Sequence, residues 1–181
     1  MSEFGIYVHW PYCAAICPYC DFNVYRARGA ANAPLIDAII ADMKAHAARY
    51  GRREAASLFF GGGTPSLLRG DELARLIDAA SNAFVLSSDC EITLEANPDD
   101  FALFAEQAAA GINRFSIGAQ AFDDASLKAL GRRHDAHSAL RAIDAAAATH
   151  QRVSLDLIYA RGGQSLEAWR AELAHALTLP I

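Results

Sequence analysis

Residues 4–23 read F-G-I-Y-V-H-W-P-Y-C-A-A-I-C-P-Y-C-D-F-N. A short apolar run, FGIYVH (4–9), leads into Cys13, Cys17 and Cys20 at a C-x3-C-x2-C spacing. The run has the length and β-branched content of a strand, so the cysteines fall on the loop at its C-terminal end. Three thiolates on one tight loop can converge on one metal centre. A closed structural zinc site takes four ligands, and a [4Fe–4S] cluster usually takes four cysteines. Three leave one position open, for His9 or for a ligand from outside the chain. An open iron site beside a strand end suits chemistry on a bound small molecule. The alternative is a zinc-stabilised binding module, closed by His9.

Working outward, four more apolar runs follow: SLFF (57–60), EITLE (91–95), NRFSIGA (113–119) and VSLDLIY (153–159). Between them lie helical patterns. Pro34–Tyr50 places Leu35, Ile36, Ile39, Ile40, Met43 and Ala47 on one face. Asp71–Phe84 repeats this with Leu73, Leu76, Ile77, Ala80 and Phe84. Asp99–Ala110 ends at Gly111, and a short helix at Ala125–Leu130 ends at Gly131, both natural C-caps. Ala136–Thr149 carries Leu140, Ile143 and Ala147, and Ser165 can cap a last helix bearing Leu166, Trp169 and Leu173. Strand–helix alternation predicts an α/β fold with parallel strands and right-handed crossovers. Pattern alone does not separate a barrel from an open sheet, but both gather ligands at the C-terminal strand ends.

The 181 residues are 53% hydrophobic and 20% charged, enough for a packed core. The net charge of −5 argues against broad nucleic-acid binding, which needs a basic face. The start, MSEFGIYVHW, has neither the basic region nor the apolar core of a secretory signal, and nothing approaches a membrane-spanning run. The expected compartment is the cytoplasm, where the cysteines stay reduced. Cys90 stands apart and reads as a small buried apolar residue.

Other positions carry chemical interest. Gly61-Gly62-Gly63-Thr64-Pro65 follows an apolar strand, so exposed N–H and C=O groups there can meet a ligand closely. Glu95 ends the third run, where a carboxylate can accept both hydroxyls of a ribose. Asp156 interrupts an apolar strand, where a charge is expensive unless paired. Tyr7 and His9, two apart on a strand, share a face. Asn97-Pro98 reads as the turn opening the third helix, and His134, His137, His150 and His175 as surface or structural residues on helical patterns.

The full string YVHWPYCAAICPYCDFN (7–23), with FFGGGTPSLL (59–68), LEANP (94–98), NRFSIGAQAF (113–122), LGRRH (130–134) and DLIY (156–159), carries a resemblance. It resembles the radical S-adenosylmethionine superfamily and, within it, the oxygen-independent coproporphyrinogen III oxidase-like family. The resemblance runs from Tyr7 to about Trp169. True coproporphyrinogen dehydrogenases carry a further Cys two residues after the third cluster Cys; here Phe22 stands there, as in the heme-chaperone members. Ala160-Arg161-Gly162 departs from the family's usual Gly-Leu-Pro. Members usually continue for about as long again, so residues 1–181 are expected to be one radical S-adenosylmethionine core domain. It is expected to be a partial (β/α) barrel of about five units, without the sixth unit and the heme-binding C-terminal region.

The resemblance implies that Cys13, Cys17 and Cys20 hold three irons of a [4Fe–4S] cluster whose fourth iron S-adenosylmethionine chelates. Electron transfer into the sulfonium then gives methionine and a 5′-deoxyadenosyl radical. It places Tyr7, Tyr19, Gly62, Gly63, Thr64, Glu95, Gln120, Arg132 and Asp156 around that cofactor, with Arg132 as a fork for its carboxylate and Arg133 as the rival. It implies heme or a porphyrinogen as partner. The function expected is heme trafficking to a hemoprotein acceptor, with radical decarboxylation of coproporphyrinogen as the alternative.

Overall fold

The computed structural model describes residues 4–27, 29 and 31–181. Residues 1–3, the start of the stretch read for a leader, lie outside it. In chain order the elements are β1 (Gly5–Trp10), β2 (Tyr12–Cys13), β3 (Tyr25–Arg26), α1 (Ala33–Tyr50), β4 (Glu54–Gly62), α2 (Gly70–Ala83) and β5 (Val85–Ala96). There follow α3 (Phe104–Ala109), β6 (Arg114–Gln120), α4 (Asp124–Ala129), α5 (Ala136–Ala148), β7 (Arg152–Leu157) and α6 (Leu166–Ala176).

Five strands form one sheet in the order β1-β4-β5-β6-β7, every neighbour parallel. This is the partial (β/α) barrel expected. Side chains alternate across it. Val8, Trp10, Leu58, Phe60, Leu94, Ala96, Phe115 and Ile117 face the helices and join Ile36, Leu73, Leu76, Phe104 and Ile143 in one core. Burying each such large side chain stabilises the fold by about 1.5–3 kcal/mol. The other face carries Tyr7, His9, Glu95, Arg114, Ser116, Ser154 and Asp156, the inside of the barrel. Among the described residues no helix is long and apolar enough to cross a membrane.

Several expectations are refined. The third helix is split into a 3-10 stretch, Pro98–Leu103, and α3, because Asn97 caps early by accepting from Asp99 N–H at 3.3 Å. β5 begins at Val85, so Cys90 lies within a strand, buried as expected. His134 lies in the loop before α5 rather than on a helix, 4% exposed, its Nε2 3.1 Å from the Ala119 carbonyl. His150 lies in a turn with φ 59. Ser165 caps α6 as expected, accepting from Ala168 N–H at 3.1 Å. The apolar face predicted for α6 is not buried: Leu166 and Leu173 are exposed, and Trp169 meets Tyr159 at 5.8 Å. β7 pairs only with β6 among the described residues.

Candidate functional site

The C-terminal strand ends surround a cleft of about 560 Å³, a volume suited to a small organic ligand. Cys13, Cys17 and Cys20 line one wall. Their loop is fixed by a pairing that the sequence did not reveal: β2 runs beside β3, with Tyr25 N–H donating to Pro11 O at 2.7 Å and Ala27 N–H to Cys13 O at 2.8 Å. Burial pushes the Cys13 thiol up, a hydrogen bond with Thr64 opposes it, and the two neighbouring thiols add to the rise.

The glycine turn is stitched to this loop. Gly63 N–H donates to Trp10 O at 2.6 Å and Thr64 N–H to Tyr12 O at 2.8 Å. A Cβ on Gly63 would lie 2.7 Å from Tyr12 O. Gly62, at φ 107, donates its N–H to Glu95 Oε2 at 3.0 Å. The expectation of free backbone donors is therefore corrected: all three N–H groups are spent inside the protein. What the turn has left to offer is carbonyl acceptors, suited to an ammonium group rather than a carboxylate.

Arg132 supplies the opposite character. Its Nη2 donates to Gly118 O at 3.0 Å and its Nη1 lies 3.6 Å from Cys17 Sγ. Its Nε is buried with no partner among the described residues. The guanidinium itself lines the cleft with the three thiols, a charged donor group suited to a carboxylate. Arg133 is exposed and lines only an adjoining recess with Asp99 and Asp100, whereas Arg132 lines both that recess and the cleft, so the geometry favours Arg132. Tyr19 extends over the same corner; burial and the Cys17 thiol raise its phenol to about 12 against the pull of Arg132.

Glu95 and Asp156 form the acidic wall. Burial pushes the Glu95 carboxyl up, the Gly62 N–H opposes this, and Asp156 adds repulsion. Asp156 lines the cleft beside Glu95. Alternation turns it to the open face, exposed to the cleft, where Ser116 Oγ donates to it at 3.2 Å. The protein packed around it still raises its pKa, with Ser116 and Arg114 working against that. Tyr7 shares its face with His9, as expected, its hydroxyl 3.4 Å from His9 Nδ1 and its ring stacked on Phe59. Tyr7 is exposed and is not among the residues lining the cleft.

Gln120 reaches the cleft from a left-handed backbone, φ 67. Ser116, Gly118 and Asn97 also line it and were missed. Ser116 and Gly118 were findable: they precede Gln120 at alternating positions.

No group of three or more His, Cys, Asp or Glu side chains among the described residues is placed to hold a single metal ion. His9, the fourth ligand of the zinc alternative, is otherwise engaged: its Nε2 lies 2.9 Å from Asn23 O. The cysteines share a cleft wall rather than an ion-sized point. Three thiols on one wall are the donor type that an iron–sulfur core takes.

Comparison with known proteins agrees. The profile of the Radical SAM superfamily matches residues 7–175. The mouse protein named radical S-adenosyl methionine domain-containing protein 1, mitochondrial, is 40% identical over 176 residues, 96% of this chain and 40% of its own. The heme chaperone HemW of Escherichia coli is 38% identical over 183 residues, 99% of this chain and 48% of its own. The structure of the E. coli coproporphyrinogen III oxidase HemN, a radical SAM enzyme, superposes with a TM-score of 0.83 at 26% identity, covering 97% of this chain and 42% of that one. The chain thus spans two fifths to one half of the length of these relatives.

Proposed function

The chain belongs to the Radical SAM superfamily, and from that premise we propose that its cleft holds a [4Fe–4S] cluster and S-adenosylmethionine in the service of heme handling. Cys13, Cys17 and Cys20 would hold three irons. When bound, the pair supplies one-electron reduction of a sulfonium. The chain's own residues bind and orient: the glycine turn offers acceptors to the amino group, Arg132 a donor fork to the carboxylate, and Glu95 an acceptor to the ribose hydroxyls. Gln120, Asp156, Thr64 and the Tyr19 ring complete the surroundings, with Tyr7 on the same sheet face outside the cleft lining. The observation that supports this reading is the Arg132 guanidinium, 3.6 Å from Cys17 Sγ, in one cleft with the three thiols.

Residues 1–181 form the core domain of that activity in this reading. Heme trafficking to a hemoprotein is favoured by Phe22, which stands where the decarboxylating branch carries another Cys, and by the likeness to HemW. The second reading, anaerobic decarboxylation of coproporphyrinogen, has in its favour the superposition on HemN. Anaerobic iron and sulfide analysis with absorbance tests the first step. The chain is expected to turn brown with equimolar iron and sulfide, and Cys17→Ala to lose the colour with helix content kept. Zinc without sulfide would overturn it. Turnover of coproporphyrinogen would select the second reading.

A further inference from the structure

The loop after β7 carries the Ala160-Arg161-Gly162 departure, and Arg161 is not a surface cation. Its side chain is 10% exposed and meets Glu172 of α6, 9% exposed, at 2.8 Å between Nη2 and Oε2. An ion pair this dry is costly unless its remaining groups are also bonded. Most of these are bonded to the backbone of two strand ends, while the buried Arg161 Nε has no partner among the described residues. Arg161 Nη1 donates to Gln120 O at 3.2 Å and to Ile158 O at 2.7 Å. Glu172 Oε1 accepts from Phe122 N–H at 3.1 Å, and its Oε2 also accepts from Gln164 Nε2 at 3.0 Å. Asp123 Oδ2 lies 3.7 Å from Arg161 Nη2.

The backbone so gripped is under constraint. Gln120 has φ 67 and Ala160 φ 56, values that residues other than glycine keep only when their surroundings impose them. Ile158 N–H returns a 3.0 Å bond to Gln120 O. Arg161 and Glu172 themselves do not line the cleft, whereas Gln120 does.

We infer that Arg161 and Glu172 form a positioning clamp for Gln120, holding the chain at residues 120–122 so that Gln120 keeps its left-handed backbone and its amide projects into the cleft. The clamp is tied to the reading above only through the ligand that Gln120 meets. It also explains how α6 is held with so little apolar burial: Glu172 anchors it to the β6 end.

The test has two arms on the 181-residue chain. The first is amide hydrogen exchange without cofactor. Arg161→Leu is expected to speed exchange at Phe122 and Ile158 at least tenfold while leaving Phe60 in β4 unchanged. Unchanged protection at both amides overturns the clamp. If Arg161→Leu does not fold, Arg161→Leu with Glu172→Leu, which leaves no lone buried charge, carries the same expectation at Ile158. The second arm is S-adenosylmethionine binding by the reconstituted protein. Arg161→Leu is expected to weaken it five- to tenfold, and to add nothing in a Gln120→Ala background. Additive losses would show that Arg161 does not act through Gln120 and would overturn the proposal. Failure of the unaltered chain to bind S-adenosylmethionine would sink the cofactor reading, while exchange would still decide the clamp.

Discussion

Two adjacent arginines of identical chemistry are separated here by where the backbone aims them. Arg132 follows the α4 turn, and its N–H donates to Leu127 O at 2.9 Å, which directs its side chain over Cys17 and Gly118. Arg133 is exposed in the neighbouring recess. Arg132→Ala should therefore weaken S-adenosylmethionine binding by about 1.5–3 kcal/mol, the worth of a hydrogen bond to a charged group. Arg133→Ala should change it by less than about 0.5 kcal/mol, as surface substitutions do. Calorimetric titration of the anaerobically reconstituted variants checks both, and the reverse order would assign the carboxylate to Arg133. The same scale shows what a string of residues hides. LGRRH places two guanidiniums side by side, and only the turn geometry distinguishes them. Asp156 shows the converse: an acid inside an apolar run marked a cleft-lining position, and the register shows which face it occupies.

At the scale of elements, the glycine turn and the cysteine loop act as one unit. Gly62 combines φ 107 with a position where a Cβ would lie 2.5 Å from His9 ring atoms and 3.1 Å from Trp10 O. Gly62→Ala thus meets both backbone strain and overpacking, a loss of at least about 2 kcal/mol. In a chain of this size that lowers the melting temperature by about 4–8 °C. Gly162, with open space where its Cβ would stand and no left-handed φ, is the control. Gly162→Ala should melt within about 1 °C of the unaltered chain, and equal losses in the two would show that the turn tolerates a side chain. The strands, the main helices and the cysteine spacing were legible in sequence because each rests on local periodicity or on one contiguous motif. The β2–β3 pairing was not, since two-residue strands have no period. Nor was the spending of the turn's N–H groups on Trp10, Tyr12 and Glu95, which depends on loops distant in sequence meeting at the sheet's end.

Over the whole molecule, the helices cover one face of the sheet and leave the other to gather charge. Glu95 and Asp156 stand above the ordinary carboxylate range, burial being the first cause in each, and the Asp156 charge adds to the rise at Glu95. Folded, these acids hold protons more tightly than in the unfolded chain. Their contribution to stability is therefore greatest below ordinary carboxylate pKa values. It falls as pH rises through the raised values and stays low above them. Glu91 works in the opposite sense: burial alone would raise it, but Arg114 and Arg152 hold it down, so its contribution is lost on acidification. Asp156→Asn removes one of the two facing charges while keeping an acceptor for Ser116 Oγ. The cofactor-free variant should melt about 1–3 °C higher than the unaltered chain at pH 7, a small gain because Asp156 is open to solvent. The gain should vanish near pH 3, where both forms are neutral. In the reconstituted protein the same substitution should weaken S-adenosylmethionine binding, as expected when a site keeps like charges together for a ligand at the expense of the empty fold. Melting curves across that pH range decide the point, because a gain independent of pH would mean that Asp156 costs the fold something other than its charge.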